Sequence, residues 1–148
     1  MGRHYRLLVV DDGSVPLCLS DGRFRLRRSD QARARQHFIT WYTQRGQTWL
    51  EQRVARFAPR LQVAPSAVHV QDLGFRWGSC SRAGRVNFHW RTVLLPPPII
   101  EYVIVHELAH LHEPHHTADF WHRVERALPE YQARKTWLAE RGGALVGV

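Results

Sequence analysis

Residues 103–121 read VIVHELAHLHEPHHTADFW and leave the chain little freedom. Three apolar residues lead into His106-Glu107-Leu108-Ala109-His110, and Pro114 follows shortly after. Side chains four apart share one face of a helix, one turn apart. Two imidazoles at that spacing reach a common metal ion when 106–110 is helical, which is the logic of an H-E-x-x-H pattern. The preceding apolar run requires the helix to be buried on its approach. Pro114 stops the helix, so the chain can turn back there and present a further side chain.

Zinc accepts imidazole nitrogen at about 2.0–2.1 Å, and a catalytic zinc usually has three protein ligands and one open position. Glu107 sits beside the first histidine and can reach a water held there without being a ligand. A water on zinc has a pKa of about 7, within range of a neighbouring carboxylate. The third ligand has several candidates: His112, His115, His116, Glu113 and Glu125. His112 lies two residues beyond His110, about 200° round the helix, and faces away. His115 and His116 both follow the break. His116 directly precedes Thr117, a cap for the next helix, so its backbone is the more fixed, and it is preferred. His115 and Glu125 remain alternatives. The spacing 106, 110, 116 also matches a metzincin, but Glu113 stands where that pattern needs Gly, and the chain's one Met is Met1.

Further marks surround this segment. They are Arg76-Trp77-Gly78-Ser79-Cys80, the pair Asn87 and Trp90, the HELAHL helix, and Phe120-Trp121 after the third histidine. Together they resemble the YgjP-like metal-dependent hydrolases, relatives of the SprT-like zinc metallopeptidases. The close likeness spans about 73–141, and the first part of the chain matches in layout alone. The resemblance implies a compact α+β zincin-like fold. It also implies His106, His110 and His116 as zinc ligands, one Zn2+ per chain, and Glu107 as catalytic base. His115 stands where the family usually has Asn.

Patterning sets the expectations for the rest of the chain. Short strands and hairpins are expected over 1–28, with Asp21-Gly22 as a hairpin turn. Ser29 or Asp30 caps a long helix over 30–58, with Phe38, Ile39, Trp41, Tyr42, Trp49, Leu50, Val54 and Phe57 on its buried stripe. Strands over 67–77 and 85–93 flank a turn, GSCSRAG. Helices follow over 99–113, 117–128 and 130–141. The expected architecture is one domain over 1–148, with a catalytic core over 67–141. In it a small antiparallel or mixed sheet packs on the long helix and the H-E-x-x-H helix.

Several side chains carry two readings. Arg76 either binds an anionic group or oxyanion or pairs with a helix carboxylate. His89 is a possible substrate contact. Cys80 is expected to be a buried structural thiol, with a redox or metal-masking role as the alternative. Phe120, Trp121 and Trp137 are expected in the core. The formal charge of +8 raises an anionic partner as an expectation. Weak, sequence-independent nucleic-acid binding would run through Arg23, Arg25, Arg27 and Arg28 and through Arg33, Arg35, Arg45, Arg53 and Arg56 on the long helix. Two cysteines far apart make no disulfide framework, and no apolar run is long enough for a membrane span; a soluble, cytoplasmic protein is expected. The leading function is a zinc-dependent metallopeptidase with a peptide or protein substrate. The alternatives are a hydrolase of phosphate esters or anhydrides and a nucleic-acid-binding module with structural zinc.

Overall fold

The computed structural model describes residues 4–145; the ends of the domain expected over 1–148 lie outside the described residues. The fold is α+β, with two three-stranded mixed sheets. The first holds β1 (Arg6–Val10), β2 (Leu17–Ser20) and β3 (Arg23–Arg27) in the order β1-β3-β2. Asp21 and Gly22 both have positive φ, 51° and 70°, which is the type I′ turn that suits the twist of a two-residue hairpin. Strand β3 alternates as its sequence does. Phe24 and Leu26 are buried, while Arg23 and Arg25 face solvent. The buried pair and Leu17 pack against Phe38, Trp41 and Tyr42.

Those three aromatics belong to α1 (Ala34–Leu61). Its start differs from the expected cap at Ser29 or Asp30. A 3-10 turn over Arg28–Arg33 comes first, and Arg33 at the N-cap makes no side-chain cap bond. Asp30 is instead buried, with its carboxylate 2.6 Å from Arg27 Nε and 3.3 Å from His37 Nε2. The Arg27 hydrogen bond holds the Asp30 carboxyl below the usual carboxylate range. The helix also runs past the expected end at Ala58. It carries Pro59 in its last turn and stops where Gln62 takes a left-handed φ of 55°. Burial of Ala58 and Leu61 in the core rewards the extra turn.

The second sheet holds β4 (Ala67–Gln71), β5 (Gly78–Cys80) and β6 (Arg85–His89) in the order β4-β6-β5. This corrects the expected strand–turn–strand reading. Gly78–Cys80 is a strand antiparallel to β6, not part of the turn, and the turn shrinks to Ser81–Gly84, with Gly84 at φ 78°. The stretch 72–77 is a loop. Small and polar residues hid the short strand from periodicity, because three residues show no alternation.

Helix α2 (Pro97–Ala109) opens on prolines, tolerated in a first turn. It is apolar around most of its circumference, and Ile99, Ile100, Val103, Ile104, Val105 and Leu108 are all buried. Such a helix needs cover on every side. It receives α1, β5, α3 (Ala118–Ala127) and α4 (Tyr131–Arg141). It ends at Ala109, short of the expected 113, and the chain turns through Leu111–Glu113 on bonds back to Leu108 and Ala109. Among the described residues no helix is long and apolar enough to cross a membrane.

Candidate metal centre

His106 and His110 stand one turn apart at the end of α2, where its buried flank opens onto a cleft. His116 reaches them from the segment that doubles back between α2 and α3. Thr117 fixes that return: its hydroxyl accepts from the backbone N–H of Phe120 and caps α3. One ring nitrogen from each histidine lies within 4.8 Å of the others. His106 Nε2 and His116 Nε2 are 3.0 Å apart. Among the described residues this cluster has three members. His115 and Glu125 are exposed and outside it. His112 faces the other way, its Nε2 2.9 Å from the carbonyl of Leu61, and ties the end of α2 to the end of α1.

The outer nitrogens of His106 and His110 are also occupied. His110 Nδ1 lies 3.0 Å from the carbonyl of Glu113 and donates to it when Nε2 is turned to the cluster. His106 Nδ1 makes a longer contact, 3.5 Å, with the hydroxyl of Tyr102 one turn earlier on α2. Such outer bonds fix tautomer and ring orientation at metal sites. Phe120 backs the cluster: its ring centroid lies 5.0, 4.5 and 4.8 Å from those of His106, His110 and His116. Trp121 stacks on His116 at 5.6 Å. The Phe-Trp pair expected in the core is thus the wall against which the imidazoles rest, with Phe120 fully buried and Trp121 half-buried. Spacing offered a signal for Tyr102, four residues before His106, that the motif itself does not contain.

Charge favours neutral imidazoles here. Burial pushes His106 down to about 3, with His110 and His116 adding to the effect. Burial likewise lowers His116, helped by His110. A neutral imidazole is the form that binds a metal. Three converging imidazole nitrogens, two of them on rings oriented by outer bonds, fit zinc.

Glu107 is 7 % exposed, and burial raises its carboxyl to about 8, with Arg76 opposing the rise. Its room comes from β5. A Cβ on Gly78 would sit 2.6 Å from Glu107 Cγ and 2.7 Å from Oε1, so only glycine lets this backbone pass the carboxylate. Beside them opens a cavity of about 540 Å3, lined by His106, Glu107, His110 and His116 on one side and by Arg76 and the β5 edge on the other. Arg76 is exposed on its rim, with no ion pair to a carboxylate among the described residues.

Two expected residues sit elsewhere. His89 is 2 % exposed and does not line this cavity. Its Nδ1 accepts from the N–H of Arg91, and its Nε2 donates to Asp72 at 3.2 Å. Burial lowers its pKa. Cys80 is half-buried on the cavity wall rather than in the core. Burial raises its thiol above the usual range, and the charge of Glu107 adds to that, so the reactive thiolate is disfavoured.

A helix carrying two histidines and a glutamate, a third histidine from the returning chain and an edge strand along the cleft make this a zincin-type metallopeptidase fold. The chain belongs to the YgjP-like, metallopeptidase domain family, whose family model matches residues 1–141. Among solved structures it is similar to the metallopeptidase zymogen of Pyrococcus abyssi abylysin. That likeness has a TM-score of 0.55 and 21% identity, over 61% of this chain and 92% of that one, and it speaks for the fold. No curated protein sequence matches the chain.

Proposed function

We propose that the chain is a zinc-dependent peptidase in which His106, His110 and His116 hold one zinc ion and Glu107 is the general base. The observation that carries this reading is the convergence of three imidazoles beside a buried carboxylate on an open cleft. Bound zinc supplies a Lewis acid for the substrate carbonyl and a more acidic water. Glu107 takes a proton from the attacking water and delivers it to the leaving amine. Burial raises its proton affinity toward neutrality, where a base of this kind works best; a bound cation and Arg76 act in the opposite direction. Strand β5 is the edge of its sheet, so its free backbone groups can pair with an extended peptide. Arg76, on the rim, is placed to steady negative charge on the substrate. His89 is better read as holding loop 72–77 than as a substrate contact.

The three-membered cluster leaves an open coordination position, which argues against a structural zinc. Phosphate-ester hydrolysis finds no specific support at the site. The reading takes the chain as one domain over 1–148. We infer also a weak nucleic-acid contact, centred on Arg23 and Arg25 of the expected arginine set, with Arg6 beside them. On α1, Arg53 pairs with Glu101 and lies over Trp49, Arg45 lies over Trp41, and Arg56 lies over Phe57. Arg33 is near Asp30. Arg35 is exposed without such a contact, and Arg6, Arg23 and Arg25 face solvent together on the first sheet.

The deciding experiment is Glu107→Gln. It keeps size and hydrogen bonding and removes the base. Zinc content is expected to persist while peptide hydrolysis falls about 10²–10⁴-fold. Loss of zinc together with activity would make Glu107 a ligand or a structural group instead.

A further inference from the structure

Beside the metal centre, on the side away from the larger cavity's polar wall, lies a second recess of about 210 Å3. Phe75 and Trp77 form one wall, and Tyr102, Val103 and Leu138 form the other. Its floor reaches His106 and Glu107, which the two cavities share. A peptide held at the metal would therefore place one side chain over it. At this volume the recess is smaller than the roughly 300–1,000 Å3 of sites for drug-sized ligands, and it suits a single large side chain.

Phe75 is 94 % exposed. A free ring of that size is held out of the core at a cost of about 1.5–3 kcal/mol relative to burial. The loop that carries it is pinned at both ends. Asp72 accepts from His89 and from the N–H of Gly74 at 2.8 Å. The carbonyl of Trp77 accepts from the N–H of His89 at 2.9 Å and from the Thr92 hydroxyl at 2.8 Å. The ring stands on this anchored loop at the mouth of the recess, where a side chain seated in the recess would cover part of it.

We propose that loop 72–77, α2 and α4 form a specificity pocket for one large apolar side chain, Phe, Leu or Met, next to the bond that is cut, with Phe75 closing over it. The proposal rests on the peptidase reading for the bond that is cut, but the pocket itself is a binding site that stands without it.

The test has two arms on the full chain. In the first, zinc-loaded protein digests a degenerate peptide library, and mass spectrometry maps the cuts. Phe, Leu or Met is expected at one position flanking the cut. Leu138→Trp, which fills the recess from its α4 wall, is expected to lower cleavage at those residues at least about ten-fold relative to Ala or Gly, the scale of burying one large side chain. A preference that is absent in the wild type, or unchanged in Leu138→Trp, overturns the pocket. The second arm needs no catalysis. N-acetyl-phenylalaninamide and N-acetyl-glycinamide are titrated against the protein while the Trp77 indole N–H is followed by NMR. A saturable shift is expected with the phenylalanine probe alone, and it should be lost in Leu138→Trp. Where nothing is cut, this arm decides: a Trp77 response keeps the pocket and removes the peptidase reading, and no response overturns the pocket. Should Leu138→Trp fail to fold, Phe75→Ser, at a fully exposed position, takes its place and is expected to weaken both preferences.

Discussion

His116 is the residue on which the proposed metal site turns, because helix geometry alone brings only His106 and His110 together. Its ring reaches them from a separate segment and is held there by stacking on Trp121 and contact with Phe120. The purified protein is expected to bind about one zinc ion per chain. His116→Ala should reduce the stoichiometry severely, and His115→Ala should leave it unchanged; elemental analysis after dialysis reads both. Gly78 is as exacting in a different way. In Gly78→Ala the new methyl group would fall on Cγ of Glu107, which is anchored in a buried helix. Zinc content should stay near one, while hydrolysis should drop by an amount comparable to Glu107→Gln. Normal activity in Gly78→Ala would mean that the carboxylate has freedom the packing does not show. The histidine and glutamate positions were legible because a four-residue spacing converts directly into one helix face. Tyr102, the Glu113 carbonyl and the Gly78 contact were not, because they depend on which surfaces meet, and no local pattern records that.

The elements repeat this division. The hairpin at Asp21-Gly22 and the Thr117 cap follow from local chemistry and could be read directly. Asp30 could not: as a cap candidate it is ordinary, and only the fold reveals that its carboxylate is drawn to Arg27 and His37. β5 was read as a turn because its pairing partner, β6, lies across the bend. The long helix offers a measurable case in Gly46. By propensity alone, Gly→Ala within a helix stabilises by about 1 kcal/mol. Here a Cβ at 46 would lie 2.8 Å from Cγ1 of Val93, a fully buried and stiff side chain, with Val70 also near. α1 approaches the 3-10 turn Trp90–Leu94 that follows β6 this closely because position 46 has no side chain. Overpacking of a core usually costs about 1–3 kcal/mol, so Gly46→Ala is expected to lower stability, by roughly 1–2 kcal/mol after the propensity gain. Chemical denaturation with an unchanged slope would read it; a net gain in stability would show that Val93 can move aside.

For the whole molecule, the charge of +8 is distributed in a way that composition could not reveal. On α1, Arg45, Arg53 and Arg56 lie over aromatic rings and Arg53 also pairs with Glu101, so their stems cover apolar area. The first sheet is different. Arg6 and Arg23 are direct neighbours in the parallel register of β1 and β3, and Arg25 follows on the same face. Like charges placed opposite each other on a sheet are destabilising, so this face is stabilised by any polyanion that lies across it. It is formed by the N-terminal strands, while the metal centre is built by α2 and the return into α3, so DNA could be held without filling the cleft. Binding is expected to be weak, indifferent to sequence, and strongly weakened by salt. The slope of log affinity against log salt should be near −0.9 per phosphate neutralised on duplex DNA. Reversing Arg6, Arg23 and Arg25 to Glu should abolish it, and the same change at Arg45, Arg53 and Arg56 should have the smaller effect. Peptide hydrolysis by the sheet-face variant should be unaltered, since none of the three lines the cleft. Fluorescence anisotropy with labelled duplex at low and moderate salt measures this. Absence of binding at low salt would leave the basic face as a solvated surface, and an equal loss from both sets of reversals would return the contact to net charge rather than to this sheet.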